Sequence, residues 1–251
     1  MSVIPTIDLT DIVSINECVT RGFFYCTVNE QDHKIISDIM SNAREYFDQS
    51  SKNKLADSRT PLGLGYSALG KIRRNKPIEL KESFSYRSEY SRRVELYEEY
   101  MKVLHVYAER IFIKILDSLN ISYDKSIISP SFDTLTLIHY PKNINDNMVG
   151  INSHTDWGFL TLIITDQTGL QIYDENKKIF IDVPVMKNKF IVNIADMMSR
   201  LSKYKLKSTV HRVVLNNEKY TAAFFYEPNK DTCIYGLKFE DYVVSKLKES
   251  E

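Results

Sequence analysis

The segment NSHTDWGFLTLI sets a histidine and a carboxylate two positions apart, His154 and Asp156, directly before an apolar run. Side chains at i and i+2 of an extended chain point to the same face, so this pair can reach one common object. That object is a metal ion, a substrate, or the other member of the pair. His211 stands in STVHRVVLNN, a second strand-like run, and 54 residues lie between it and Asp156. That is room for several strands to go out and return beside the first. If the return brings the segments together, two imidazoles and one carboxylate occupy one face of a metal and leave the opposite positions open. This is the pattern of non-haem Fe(II) oxygenases.

An HxD pair alone is common, so the other residues carry weight. The chain has only five histidines. His33 lies near a helix start among polar neighbours and reads as a surface residue. His105 reads as a satisfied, partly buried imidazole, and His139, before Tyr140 and Pro141, as structural. Beyond His211 the run EKYTAAFFYEP alternates Lys219, Thr221, Ala223 and Phe225 on one strand face. A cation and a hydroxyl, then a small residue and an aromatic, make an anchor for a carboxylate and a wall for a pocket. The plainer alternative is an exposed lysine and a β-favouring threonine.

The elements that must position these residues are legible in the hydrophobic period. Short strands are expected at Ile4 to Asp8 and Phe23 to Thr27, and a helix from Gln31 to Gln49. Residues Leu55 to Lys76 carry Pro61, Gly63, Gly65 and Gly70 and read as an irregular segment ending in a basic loop. From Ser91 to Asn120, Tyr97, Met101, Leu104, Ala108, Ile111, Ile115 and Leu119 recur at helical steps, a stripe that is core. After Pro130 the pattern becomes short strands separated by turns, at 134–139, 159–165, 170–173, 179–183, 190–194, 209–215 and 221–226. Strands of this number and length suggest a sandwich or jelly roll. An N-terminal mixed α/β segment (1–125) is expected to pack its long helix on a C-terminal jelly roll (126–251), together one compact unit.

Composition narrows the function classes. The 251 residues are 43% hydrophobic, with 16 Tyr and 12 Phe, enough for a sizeable core. Thirty-three basic residues balance thirty-three acidic ones, so no global field recruits nucleic acid or an anionic membrane. No apolar run has signal-peptide or membrane-span length. Cys18, Cys26 and Cys233 show no CxxC spacing and fit reduced thiols. A cytoplasmic monomer acting on a small molecule, without nucleic-acid or membrane partners, is expected.

The ordered motifs IPTIDLT, RGFFYCTVNE, LGYSALG, LKESF, LIHYP, HTDWGFLTLI, GLQIYD, VPVMKNKFIVNIADMMSRLS, STVHRVV and AFFYEPN span nearly the whole chain. In them the chain resembles the isopenicillin N synthase-like family of Fe(II)- and 2-oxoglutarate-dependent oxygenases. The resemblance implies a mainly β fold with N-terminal helices, a double-stranded β-helix or cupin-like jelly roll. It implies Fe(II) on His154, Asp156 and His211, O2 and 2-oxoglutarate as co-substrates, and release of succinate and CO2 as a small molecule is hydroxylated, desaturated or cyclised. Tyr140 matches the tyrosine that hydrogen-bonds the co-substrate. Lys219 and Thr221 fall where the family has an arginine and a serine for the distal carboxylate. Ammonium is a compact point charge where guanidinium offers a two-pronged grip, which keeps open a 2-oxoglutarate-independent oxidase; a non-catalytic ligand-binding member is the remaining alternative. Tyr66, Trp157 and Phe225 are the candidate substrate wall, Arg73 or Arg74 the candidate contact for a substrate carboxylate, and Asn193 a supporting residue.

Overall fold

The hydrophobic period of the sequence changes at Pro130, and the architecture changes with it. The computed structural model describes residues 4–9, 15, 21–57, 60, 62–70, 78–88, 95–142 and 148–249. The N-terminal part runs β1 (Thr6–Ile7), β2 (Phe23–Thr27), α1 (His33–Phe47), α2 (Ser51–Ala56), β3 (Gly65–Ser67), β4 (Ile78–Glu79), β5 (Glu82–Tyr86) and α3 (Glu95–Ser118). Strands then dominate: β6 (Thr134–Tyr140), β7 (Met148–Val149), β8 (Ile151–His154), β9 (Leu160–Thr165), β10 (Leu170–Asp174), β11 (Ile179–Asp182) and β12 (Lys189–Ile194). After the short α4 (Asp196–Leu201) come β13 (His211–Val213), β14 (Lys219–Tyr226), a small hairpin of β15 (Cys233–Ile234) and β16 (Leu237–Lys238), and α5 (Phe239–Glu249).

Two sheets form the roll. The larger has eight strands in the order β1-β2-β12-β9-β14-β6-β5-β3, and the smaller has four, β11-β10-β13-β8. The central strands carry apolar side chains on both faces because both faces are covered. On the outer face α3 lies across β9 and β14, and the Phe112 ring meets Phe159 and Tyr226 at centroid distances of 4.7 and 5.6 Å. On the inner face Ile138, Tyr140, Ile163 and Ile191 pack with Leu170, Ile172 and Val213 of the smaller sheet. The jelly roll expected from the strand pattern is the observed fold.

The departures are local. The strand expected over 209–215 is shorter, β13 spanning only His211–Val213, and its pairing with β8 shifts register within that span. The long helix is described over Glu95–Ser118, and residues 91–94, where its expected start falls, lie outside the described ones. The segment expected to be irregular instead opens in α2, where the Ser50 hydroxyl accepts from Asn53 N at 3.3 Å, and then enters β3, paired with β5. Gly65 makes that entry at φ 91°, a backbone angle that side chains disfavour.

Candidate metal centre

Strands β8 and β13 run antiparallel with His154 directly opposite His211, and their ring centroids are 4.3 Å apart. Each Nε2 lies 3.7 Å from Asp156 Oδ1. Among the described residues these three side chains form the group that could hold a metal ion, with ligand atoms all within 4.8 Å of one another.

Hydrogen bonding aims every ligand atom. Nδ1 of His154 bonds the Asn152 carbonyl at 2.8 Å, and Nδ1 of His211 bonds the Thr209 carbonyl at 3.0 Å. Each Nδ1 therefore carries the proton and each Nε2 keeps its lone pair. Asp156 Oδ2 accepts from Thr161 Oγ1 at 2.6 Å and from Asn193 Nδ2 at 2.7 Å, which leaves Oδ1 toward the imidazoles. Thr161 and Asn193 sit opposite each other on β9 and β12. The turn carrying Asp156 is pinned in turn to the start of α4, whose Asp196 N donates to the Asp156 carbonyl at 2.9 Å. Burial, with His211 alongside, pushes the His154 imidazolium down to about 4, so the ring is neutral near pH 7. Burial alone would raise the Asp156 carboxyl, but the two imidazoles and the two hydrogen bonds outweigh it and hold it low. Two imidazole nitrogens and an ionised carboxylate are the donor set a divalent transition metal takes.

A cavity of about 460 Å³ opens beside the triad. Trp157, Phe225 and, from α5, Val243 and Leu247 give it an apolar wall. Ser83 and Ser85 on β5 with Lys81 and Arg87 at its ends, Thr134 and Thr136 on β6, Glu227 just past β14, and Lys246 and Glu249 of α5 make its lining partly polar and charged.

The candidate co-substrate residues lie deeper, outside that lining. Lys219 is opposite Tyr140 across β14 and β6, with Nζ 5.5 Å from the Tyr140 ring centre. It is 2% exposed and has no carboxylate in ion-pair reach among the described residues. Burial pushes its ammonium down to about 8, against a weak pull from Asp166. Thr221 Oγ1 donates to Thr165 Oγ1 at 3.1 Å.

Tyr66 is also apart from the cavity: its hydroxyl donates to Glu82 Oε2 at 2.5 Å. Lys54 Nζ reaches the same oxygen at 2.8 Å, and His139 bridges Glu82 Oε1 and Glu218 Oε1 at 2.8 and 3.0 Å. His105 Nδ1 is 2.6 Å from Asp133. Arg73 and Arg74 lie outside the described residues. Arg87, Glu227 and the α5 residues were not anticipated. Glu227 was within reach of the reading, since extending the alternation of Lys219, Thr221, Ala223 and Phe225 by two positions arrives at it.

Fold and donor set together define a jelly-roll protein built around one metal site. Residues 131–228 match the family model of the 2OG-Fe(II) oxygenase superfamily, and residues 4–106 match that of the non-haem dioxygenase in morphine synthesis N-terminal region. The chain is 31% identical to the 2-oxoglutarate-dependent dioxygenase iboH of Amanita muscaria over 160 residues, 58% of this chain and 75% of that one. It is 27% identical over 239 residues to a probable 1-aminocyclopropane-1-carboxylate oxidase of Dianthus caryophyllus, covering 87% and 73% of the two chains. A full-length Neurospora crassa protein crystallised with alpha-KG superimposes with a TM-score of 0.87 at 23% identity, over 98% of this chain and 96% of that one. The chain belongs to the 2OG-Fe(II) oxygenase superfamily. It is an Fe(II)- and 2-oxoglutarate-dependent dioxygenase that oxidises a small molecule. Among its described residues no helix is long and apolar enough to cross a membrane.

Proposed function

We propose that His154 Nε2, Asp156 Oδ1 and His211 Nε2 hold the ferrous ion, that Tyr140, Lys219 and Thr221 hold 2-oxoglutarate, and that the substrate is oxidised against Trp157 and Phe225. The observation that carries the first assignment is the hydrogen bonding, which occupies one atom of each ligand side chain and leaves the other facing a common point. Bound iron and 2-oxoglutarate supply oxygen activation, with the 2-oxo acid leaving as succinate and carbon dioxide. The protein's part is positioning, charge and exclusion of water.

Lys219 supports its role by being buried without a carboxylate partner among the described residues, an environment that an incoming carboxylate improves. Thr221 serves by turning its hydroxyl proton from Thr165 to the same group. The ammonium neutralises the distal carboxylate but does not fix its plane as a guanidinium does. Tyr140, on the strand beside Lys219, offers a phenol that burial keeps protonated and so able to donate. The cavity volume suits a small molecule, with Trp157 and Phe225 presenting apolar surface to it.

We assign Tyr66 to the buried Glu82 network rather than to the substrate. We read residues 1–125 and 126–251 as two parts of one unit, a reading supported by β2, β3 and β5 being hydrogen-bonded into the main sheet. A cytoplasmic monomer fits the free thiols Cys26 and Cys233 and the balanced charge, and sedimentation tests the monomer. The oxygenase assignment is tested by succinate formation coupled to oxygen uptake, expected in the ferrous protein and absent from H154A and H211A.

A further inference from the structure

Just past the end of β14 opposite Lys219, a chain of hydrogen bonds holds one carboxylate in place. Arg87 lies with its Cζ 3.4 Å from the centre of the Phe132 ring and donates to Thr134 Oγ1 through Nε at 3.3 Å and Nη2 at 2.9 Å. The Thr134 hydroxyl passes the polarity on, donating to Glu227 Oε2 at 3.0 Å, with Arg87 Nη2 itself 3.5 Å from that oxygen. The Glu227 backbone is fixed as well: its N–H donates to Asp133 Oδ1 at 2.9 Å, and Asp133 is held by His105. Close approach to the metal segment is permitted by Gly158, where a Cβ would come within 3.0 Å of Glu227 Cγ and 2.7 Å of the Tyr226 carbonyl. All of this fixes Oε2. Oε1 has no hydrogen-bond partner among the described residues, and Glu227 lines the cavity.

We infer that Glu227 Oε1 is the substrate-recognising acceptor of this cavity, and that the substrate is an uncharged, ring-sized molecule donating one O–H or N–H to it. The inference rests on the oxygenase reading of the same cavity. A carboxylate held rigidly on one oxygen and open on the other is a preorganised acceptor. The uncharged class follows from the charge already present. Lys81, Arg87 and Lys246 face Asp156, Glu227 and Glu249 around the cavity, three cations to three carboxylates, so a cationic or anionic substrate would bring an uncompensated charge to it. The ring follows from Trp157, Phe225, Val243 and Leu247, which offer apolar surface and no charge.

Trp157 is the only tryptophan of the chain and lines the cavity, so its fluorescence reports binding. The probes are para-cresol, its methyl ether para-methylanisole, and the cation para-methylbenzylamine, titrated anaerobically into the ferrous protein carrying 2-oxoglutarate. Para-cresol is expected to bind about tenfold more tightly than either of the others. E227L should erase that preference, and E227Q, whose amide oxygen is a weaker acceptor, should weaken para-cresol severalfold and serves if E227L does not fold. Equal or undetectable binding of the cresol and its ether, tighter binding of the amine, a preference that survives E227L, or unchanged cresol affinity in E227Q overturns the inference. Chelation of 2-oxoglutarate is read separately, by its visible absorbance. Loss of that band from the unsubstituted protein would defeat the oxygenase reading, while loss of the cresol preference with the band intact would defeat only the role of Glu227.

Discussion

His154 and His211 face each other across two strands of the smaller sheet, their rings 4.3 Å apart, although 56 residues separate them in the chain. A metal held by both clips β8 to β13, the latter being only three residues long. Binding to the folded state alone should therefore stabilise it by about 2.7 kcal/mol when free metal is a hundredfold above its Kd. Thermal melts with and without Fe(II) or Mn(II) should show an upward shift in the unsubstituted protein, reversed by a chelator and absent from H211A. An equal shift in H211A would place the metal elsewhere.

Asn193 and Thr161 should govern metal affinity without touching the metal. Asn193→Ala removes one of the two hydrogen bonds that orient Asp156, inside a region with no water-exposed alternative. A loss of about 1–3 kcal/mol of stability and about a 10–100-fold weaker metal affinity are expected. Titration of the metal followed by calorimetry measures the second quantity, and an unchanged affinity would reduce Asn193 to a packing residue.

Lys219 gives 2-oxoglutarate binding a pH dependence that an arginine would not. Burial has lowered its pKa from 10.5 to about 8, so the free protein loses this cation as pH rises through that value. Affinity for 2-oxoglutarate should be full below about 8 and decline above it. K219M should raise the 2-oxoglutarate requirement by at least about tenfold, the worth of a charge-assisted contact. K219R, if accommodated, should abolish the alkaline decline, because guanidinium stays charged. A flat pH profile in the unsubstituted protein would show that Lys219 is not the anchor.

The buried network of Glu82, Lys54, Tyr66 and His139 should appear in acid unfolding. Burial would lift the Glu82 carboxyl, but the bonds from His139, Lys54 and Tyr66 bring it from 4.5 down to about 2. Its folded pKa lies below its unfolded one, so its stabilisation is complete above 4.5 and is lost as pH falls toward 2. Lys54→Met leaves the carboxylate buried beside one cation fewer and should cost about 3–5 kcal/mol near neutral pH. Urea unfolding across this pH range measures both effects; a Lys54→Met protein as stable as its parent would show that His139 alone suffices.

How legible this was from sequence depended on whether the signal was periodic. The strands that form β9, β12 and β14 are apolar runs bounded by turns, and their alternation also placed Lys219, Thr221 and Phe225 on one face. Strand β5 escaped because ESFSY mixes a buried glutamate and two serines into its alternation, and those serines turn out to line the cavity. The local motif points Tyr66 at the substrate, yet only the folded chain brings it to Glu82, sixteen positions on. The link from Arg87 through Thr134 to Glu227 spans 140 positions and has no local signature. Helix α5 carries little periodic signal, because its buried residues are only Phe239 and Val243.

The most direct test is anaerobic. Ferrous ion is added to the purified protein, then 2-oxoglutarate, and the visible absorbance is followed. A charge-transfer band that saturates with 2-oxoglutarate in the unsubstituted protein and is missing from H154A and H211A is the predicted result. No band in the unsubstituted protein, or an undiminished band in either variant, would contradict the assignment of these side chains as the iron ligands.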